Sequence, residues 1–184
     1  MVMKDFVFVT GNLNKVHWLE VFLGAKVAHK SLDLEEIQSL DPQKVIAHKT
    51  KQAYAILKRP VLVEDTSLRF NALGKLPGPF IKFFLEELGN TGLCNLVSTY
   101  TDKTAEASVI YGYYNGQQIK YFQATKKGTI AINPRGEMGH GWDPIFIPQG
   151  SNKSYGEMTQ QEYESDDVSL RKKAVKLFKE FASQ

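Results

Sequence analysis

The chain is poor in cysteine. Cys94 stands alone among 184 residues, which excludes an internal disulfide framework and fits a reducing compartment. No apolar run approaches the length of a membrane span, so no membrane partner is expected. No basic stretch leads into an apolar segment with a small-residue cleavage site at the start, and the expected location is cytoplasmic. The net charge is only +3, too weak to argue for nucleic acid as a partner. Neither the Walker spacing nor Gly-x-Gly-x-x-Gly occurs, and no Cys/His spacing suits zinc. The histidines at 17, 29 and 48 read as ordinary surface residues. What remains is an average soluble composition, 42% hydrophobic and 23% charged. It suffices for a single domain over 1–184 with a sizeable core.

The opening is the most informative stretch. Asp5 to Val9 reads as a buried strand, Thr10-Gly11-Asn12 as a turn, and Val16, Leu19, Val21, Phe22 and Leu23 as a helical pattern. Such a junction leaves backbone N–H groups at the positive end of a helix, a seat for phosphate. Thr10 adds a hydroxyl, Asn12 an amide and Lys15 a charge, while Gly11 allows close approach of a ligand. The same residues also serve a plain capped turn.

Further along, Asp41-Pro42 opens a helix running to about Leu57, with Val45, Ile46, Ala53, Ile56 and Leu57 on one face. Lys49 shares that face, where spacing favours snorkelling to solvent over reaching inward to an anion. Val61-Leu62-Val63 reads as a short buried strand finishing at Glu64-Asp65-Thr66. A helix from Phe80 to Leu88 stops at Gly89, and a short one follows to Tyr100. Ala105–Tyr114 and Gln117–Ala124 form a hairpin about Asn115-Gly116. Gly128–Ile132 is a further strand, and a helix spans about Ser169–Phe181. Arg171, Lys172, Lys173, Lys176 and Lys179 there read mostly as a solvated face, with one or two pointing at an anionic ligand as the alternative. Crossover-linked strands combined with a hairpin imply an α/β fold with a mixed sheet.

Carboxylates at a strand end facing a phosphate-binding turn suit Mg²⁺, which takes few carboxylates and completes its shell with water and substrate phosphate. Glu64 and Asp65 fit that description, with Glu35 or Glu36 as a further ligand; the alternative is solvated loop carboxylates. In Gly139-His140-Gly141-Trp142-Asp143-Pro144, the two rings suit stacking on a base, or Trp142 packs in the core over an Asp-Pro turn.

Taken in order, Phe8-Val9-Thr10-Gly11-Asn12-x-x-Lys15, Leu62-Val63-Glu64-Asp65-Thr66-x-Leu68, Leu76-Pro77-Gly78-Pro79-Phe80-Ile81-Lys82 and Gly141-Trp142-Asp143-Pro144 make the chain resemble the inosine/xanthosine triphosphate pyrophosphatases. Eukaryotic members are the more similar, through Glu-Asp-Thr and the tryptophan. The resemblance covers nearly the whole chain. It implies an elongated mixed β-sheet with flanking helices, two lobes around a central nucleotide cleft, and a homodimer. The implied reaction converts a purine nucleoside triphosphate (inosine, deoxyinosine or xanthosine) to the monophosphate and pyrophosphate, with Mg²⁺ or Mn²⁺ in its place. Thr10, Gly11, Asn12, Lys15, Lys49 and Thr66 match substrate-binding positions on the phosphate side. His140, Gly141, Trp142, Asp143, Ser169 and Arg171 match the base side. Glu36 and Asp65 match metal ligands. Asp65, Lys15 and Lys49 are the implied catalytic residues, with Asp65 activating water; the match decides Lys49 in favour of the anion.

Selectivity would come from the 6-keto oxygen, an acceptor where adenine has a donor; a site built for it rejects adenine by roughly 10⁴-fold or more. Two positions depart from the family pattern. His140 stands where the family usually has phenylalanine. In the closing Lys-Asn-x-x-Ser-His-Arg segment only Ser169 and Arg171 remain: Leu170 replaces the histidine, no lysine stands upstream, and the spacing is longer. Restoring histidine at Leu170 should sharpen base discrimination. The alternative reading is a nucleotide-binding protein with weak turnover or altered base selectivity.

Overall fold

The computed structural model describes residues 4–183. Its centre is a seven-stranded mixed sheet. The strands are β1 (Val7–Val9), β2 (His29–Lys30), β3 (Val61–Phe70), β4 (Pro77–Gly78), β5 (Thr104–Tyr114), β6 (Ile119–Ile130) and β7 (Phe146–Pro148). Their order is β2-β1-β3-β5-β6-β7, with β4 also paired to β3. β1 runs parallel to β2 and β3, pairing Phe8 with Leu62, whereas β4 and β7 join antiparallel. The helices are α1 (Leu13–Leu23), α2 (Pro42–Leu57), α3 (Ile81–Leu96), α4 (Gln160–Tyr163) and α5 (Leu170–Ala182). Among the described residues no helix is long and apolar enough to cross a membrane. The chain divides into two compact units, residues 4–66, 109–124 and 170–183 in the first and residues 67–108 and 125–169 in the second.

In the first unit, alternation along β1 sorts side chains to opposite faces of the sheet. Val7 and Val9 join Val61, Val63 and Ile110 against Ile46 and Ala53 of α2. Phe6 turns the other way and meets Phe178 of α5 edge-on at 5.1 Å, and Phe122 meets the same ring at 5.4 Å. α1 packs on α5 and buries Val16, Leu19 and Leu23. α2 begins as its sequence dictates: Asp41 caps it, Oδ1 accepting the Gln43 N–H at 2.9 Å, with Pro42 in the first turn. Its buried stripe is Val45, Ile46, Thr50 and Ala53. Ile56, expected on that face, is 53% exposed: ten residues beyond Ile46 it stands about 80° short of three full turns and so falls off the stripe. On α5, Lys173, Lys176 and Lys179 are exposed, the solvated face expected.

In the second unit, α3 breaks at Gly89, whose φ of 62° and ψ of 178° suit glycine. The expected helix stop is thus a kink between two helical pieces. The strands are longer than expected. β6 runs without interruption to Ile130, and β3 does not finish at Thr66 but continues to Phe70. A charged pair reads as a terminus, yet here it lies inside a strand because its charges are met by side chains from elsewhere.

Candidate functional site

Glu64 and Asp65 are consecutive on β3 and therefore point to opposite faces. Each meets cations carried by the helices on its own side. Glu64 has a wholly buried side chain. Its Oε1 lies 3.4 Å from Nζ of Lys15 on α1 and 3.3 Å from Nε of Arg171 on α5, and its Oε2 accepts the Tyr111 phenol at 2.5 Å. Lys15 also donates to the Glu64 carbonyl at 3.2 Å. Burial works to raise the Glu64 pKa, but Arg171, Lys15 and the phenol overcome it, and the group sits below the usual carboxylate range.

Asp65 faces α2. Its Oδ1 accepts from Lys49 Nζ at 3.3 Å, and the same ammonium donates to Glu36 Oε1 at 2.7 Å. Lys49 is only 12% exposed. It has not snorkelled; it is clasped between two carboxylates. Burial works to lower its pKa, but Asp65 and Glu36 prevail and hold it above the ordinary value. For Asp65, burial outweighs both lysines and pushes the carboxyl up. Among the described residues, Asp65 Oδ2 is a buried atom with no hydrogen-bond partner.

The Thr10–Asn12 turn is largely self-satisfied. Thr10 Oγ1 accepts the Asn12 N–H at 3.1 Å, and Asn12 Oδ1 caps α1 by accepting from Asn14 at 2.9 Å and Lys15 at 3.4 Å. The Asn12 amide oxygen is therefore committed to the helix rather than held out for a ligand. Gly11 keeps its place for a local reason as well: a Cβ there would come 2.8 Å from Ser31 Oγ. Thr66 follows half-buried on β3. Glu35, the alternative acidic candidate, is exposed, with an oxygen 3.5 Å from His48 Nε2.

The second unit carries the remaining residues. Asp143 is buried, and its Oδ2 accepts the His140 N–H at 2.7 Å, clasping the loop. Gly139, at φ +83°, has Asp143 where a Cβ would lie. The Gly141 carbonyl accepts from Asn90 Nδ2 at 2.8 Å. The Trp142 ring stands edge-on to Phe146 at 5.7 Å and tilted to Tyr155 at 6.3 Å, while His140 is exposed. Ser169 is fully buried. In the first unit, Leu170 is 5% exposed and serves the core as the first residue of α5.

Sequence reasoning offered Glu64 as a candidate metal ligand beside the solvated-carboxylate alternative, and overlooked Tyr111. In the structure Glu64 anchors cations from α1 and α5, and Tyr111 gives no local signal in an alternating strand. Among the described residues no three Asp, Glu, His or Cys groups are gathered as for a metal ion.

A model of the Ham1 family matches residues 6–181. An inosine triphosphate pyrophosphatase from Batrachochytrium dendrobatidis (strain JAM81 / FGSC 10211) is 44% identical over 97% of this chain and 94% of its own length. One from Scheffersomyces stipitis (strain ATCC 58785 / CBS 6054 / NBRC 10063 / NRRL Y-11545) is 37% identical over 97% of this chain and 98% of its own. The structure of a HAM1 protein from Coxiella burnetii superposes with a TM-score of 0.85 at 21% identity, covering 98% and 99% of the two chains, a likeness of fold. With matches of this extent, the chain belongs to the Ham1 family.

Proposed function

We propose that this chain hydrolyses inosine, deoxyinosine and xanthosine triphosphates to the monophosphate and pyrophosphate, cleansing the nucleotide pool. The observation that carries the reading is the Asp65 carboxylate, held by Lys49 through one oxygen while the other is buried without a partner. An inward lysine beside an uncommitted carboxylate is what phosphoanhydride hydrolysis needs: charge to oppose the phosphates and a base to hold water.

In this reading Lys15 and Lys49 oppose the triphosphate charge. Asp65 Oδ2 accepts a proton from water as the water oxygen bonds to the α-phosphorus. The bond from that phosphorus to the bridging oxygen breaks, and pyrophosphate departs with the electron pair. Burial, by raising the Asp65 pKa, makes it a stronger base than an ordinary aspartate. Mg²⁺, with Mn²⁺ as a substitute, fits the donor set, since Glu36 and Asp65, both drawn to the Lys49 ammonium, offer hard carboxylate oxygens. When bound, the ion supplies further neutralisation of phosphate charge. Trp142 offers a ring for the base, with Asp143 holding its loop in shape; Ser169 and Arg171 complete the base side by resemblance. The reading treats residues 1–184 as one domain, acting as a cytoplasmic homodimer.

The test is a panel of inosine, xanthosine, deoxyinosine, guanosine and adenosine triphosphates with Mg²⁺ and with chelator, separating monophosphate from diphosphate products. Metal-dependent monophosphate from the first three supports the reading; diphosphate products or no turnover by folded protein sink it. A second reading, binding with weak turnover or altered base selectivity, draws on the use of Leu170 for the core. Saturable binding without monophosphate would favour it.

A further inference from the structure

We propose that the Tyr111 phenol is a positioning residue for polyphosphate: by holding one oxygen of Glu64 it keeps the other between Lys15 and Arg171, and so fixes the Lys15 ammonium where phosphate would meet it. This rests on the reading of Lys15 as a phosphate contact. A carboxylate wholly removed from water must have its oxygens paired. Here the two oxygens are used differently. Oε1 faces both cations, at 3.4 Å from Lys15 and 3.3 Å from Arg171, while Oε2 takes the phenol at 2.5 Å.

Tyr111 is itself immovable. It is fully buried on β5, a strand neighbouring β3, with its ring 6.2 Å from Phe8. The phenol therefore fixes the torsion of the carboxylate, and the carboxylate fixes the cations. Lys15 arrives from α1 and Arg171 from α5; Glu64 is the group at which both charges meet. Without the hydroxyl, Oε2 is left unpaired in the interior, and the carboxylate relieves this only by rotating and drawing Lys15 and Arg171 with it.

The experiment is calorimetric titration of inorganic pyrophosphate into the full chain with Mg²⁺, beside steady-state hydrolysis of inosine triphosphate. Tyr111→Phe should weaken pyrophosphate about tenfold and raise KM by a similar factor, with kcat changed by less than about threefold, the scale of one unpaired buried acceptor. Tyr113→Phe, the same chemical change at a buried tyrosine two residues along the strand, should leave both unchanged. In a Lys15→Met background, adding Tyr111→Phe should weaken pyrophosphate by a clearly smaller factor than it does in the wild-type background, because the Lys15 route to the ligand is already cut. A merely structural phenol would instead give additive losses, which would overturn the proposal, as would wild-type binding in folded Tyr111→Phe. If that variant does not fold, Glu64→Asp draws the carboxylate away from the phenol at constant charge and must weaken pyrophosphate likewise; unchanged binding counts against the proposal. Wild-type protein that binds pyrophosphate but forms no monophosphate would defeat the enzymatic reading alone, leaving the binding arm to judge the phenol.

Discussion

The two faces of β3 treat adjacent carboxylates in opposite ways. On the side of α1 and α5, Glu64 has both oxygens engaged by Lys15, Arg171 and Tyr111, and it is more acidic than a free glutamate. On the side of α2, Asp65 has one oxygen on Lys49 and the other bare, and it is less acidic than a free aspartate. Burial is common to both; the number of partners differs. The lesson is that desolvation alone does not decide a buried acid's behaviour: the completed shell makes a fixed anchor, and the incomplete one leaves a group able to exchange a proton.

The largest expected effect breaks the contrast on the Asp65 side. Asp65→Asn removes the base and should lower kcat for inosine triphosphate by about 10³-fold. The folded carboxyl lies above its unfolded value, so its ionised form costs stability once pH exceeds the ordinary aspartate range. The variant should thus melt no lower than wild type at pH 7 by calorimetry, inactive yet intact.

Lys49→Met follows, with a loss of roughly 10²-fold in kcat/KM. Removing the cation that most opposes burial pushes the Asp65 pKa further up. The acid limb of the pH–rate profile should move to higher pH; an unmoved limb would separate Asp65 from the rate.

Glu64→Gln probes the anchored side. The folded glutamate lies below its unfolded value, so its contribution is complete above the ordinary carboxylate range and fades as pH falls through the folded value. At pH 7 the variant should lose about 2 kcal/mol, or roughly 4–8 °C in Tm for a chain of this size. The gap should narrow as melts are taken below the ordinary carboxylate range. The smallest effect comes from an exposed pair as a reference. Arg59 lies 2.9 Å from Asp5 with both side chains more than half exposed, and Arg59→Ala should cost under about 1 kcal/mol.

Much of this was legible locally. The capped turn at Asn12, the Asp41 cap and the Asn115-Gly116 turn are set by neighbours in sequence, where short-range chemistry decides. The course of β3 was not. Whether Glu64 ends a strand or lies inside one depends on Tyr111, 47 positions on, and Arg171, 107 positions on, and no local pattern reports such partners. Spacing favoured snorkelling for Lys49, and misled for the same reason: snorkelling and clasping place a lysine identically on the helix, and only the carboxylates opposite distinguish them. Asn12 shows the reverse case, a side chain whose local capping duty accounts for the use of its amide oxygen.

The span between Glu64 and Arg171 also orders events during synthesis. A nascent chain holding β3 and β5 already places the Glu64 acid beside the Tyr111 hydroxyl, but one of its two counter-charges has yet to leave the ribosome. The same late segment brings Phe178 to Phe6 and the Ala182 carbonyl to the Lys4 N–H. Closing the first unit and completing the set of partners around its buried acid therefore fall to the same late segment, and a chain interrupted before α5 loses both at once.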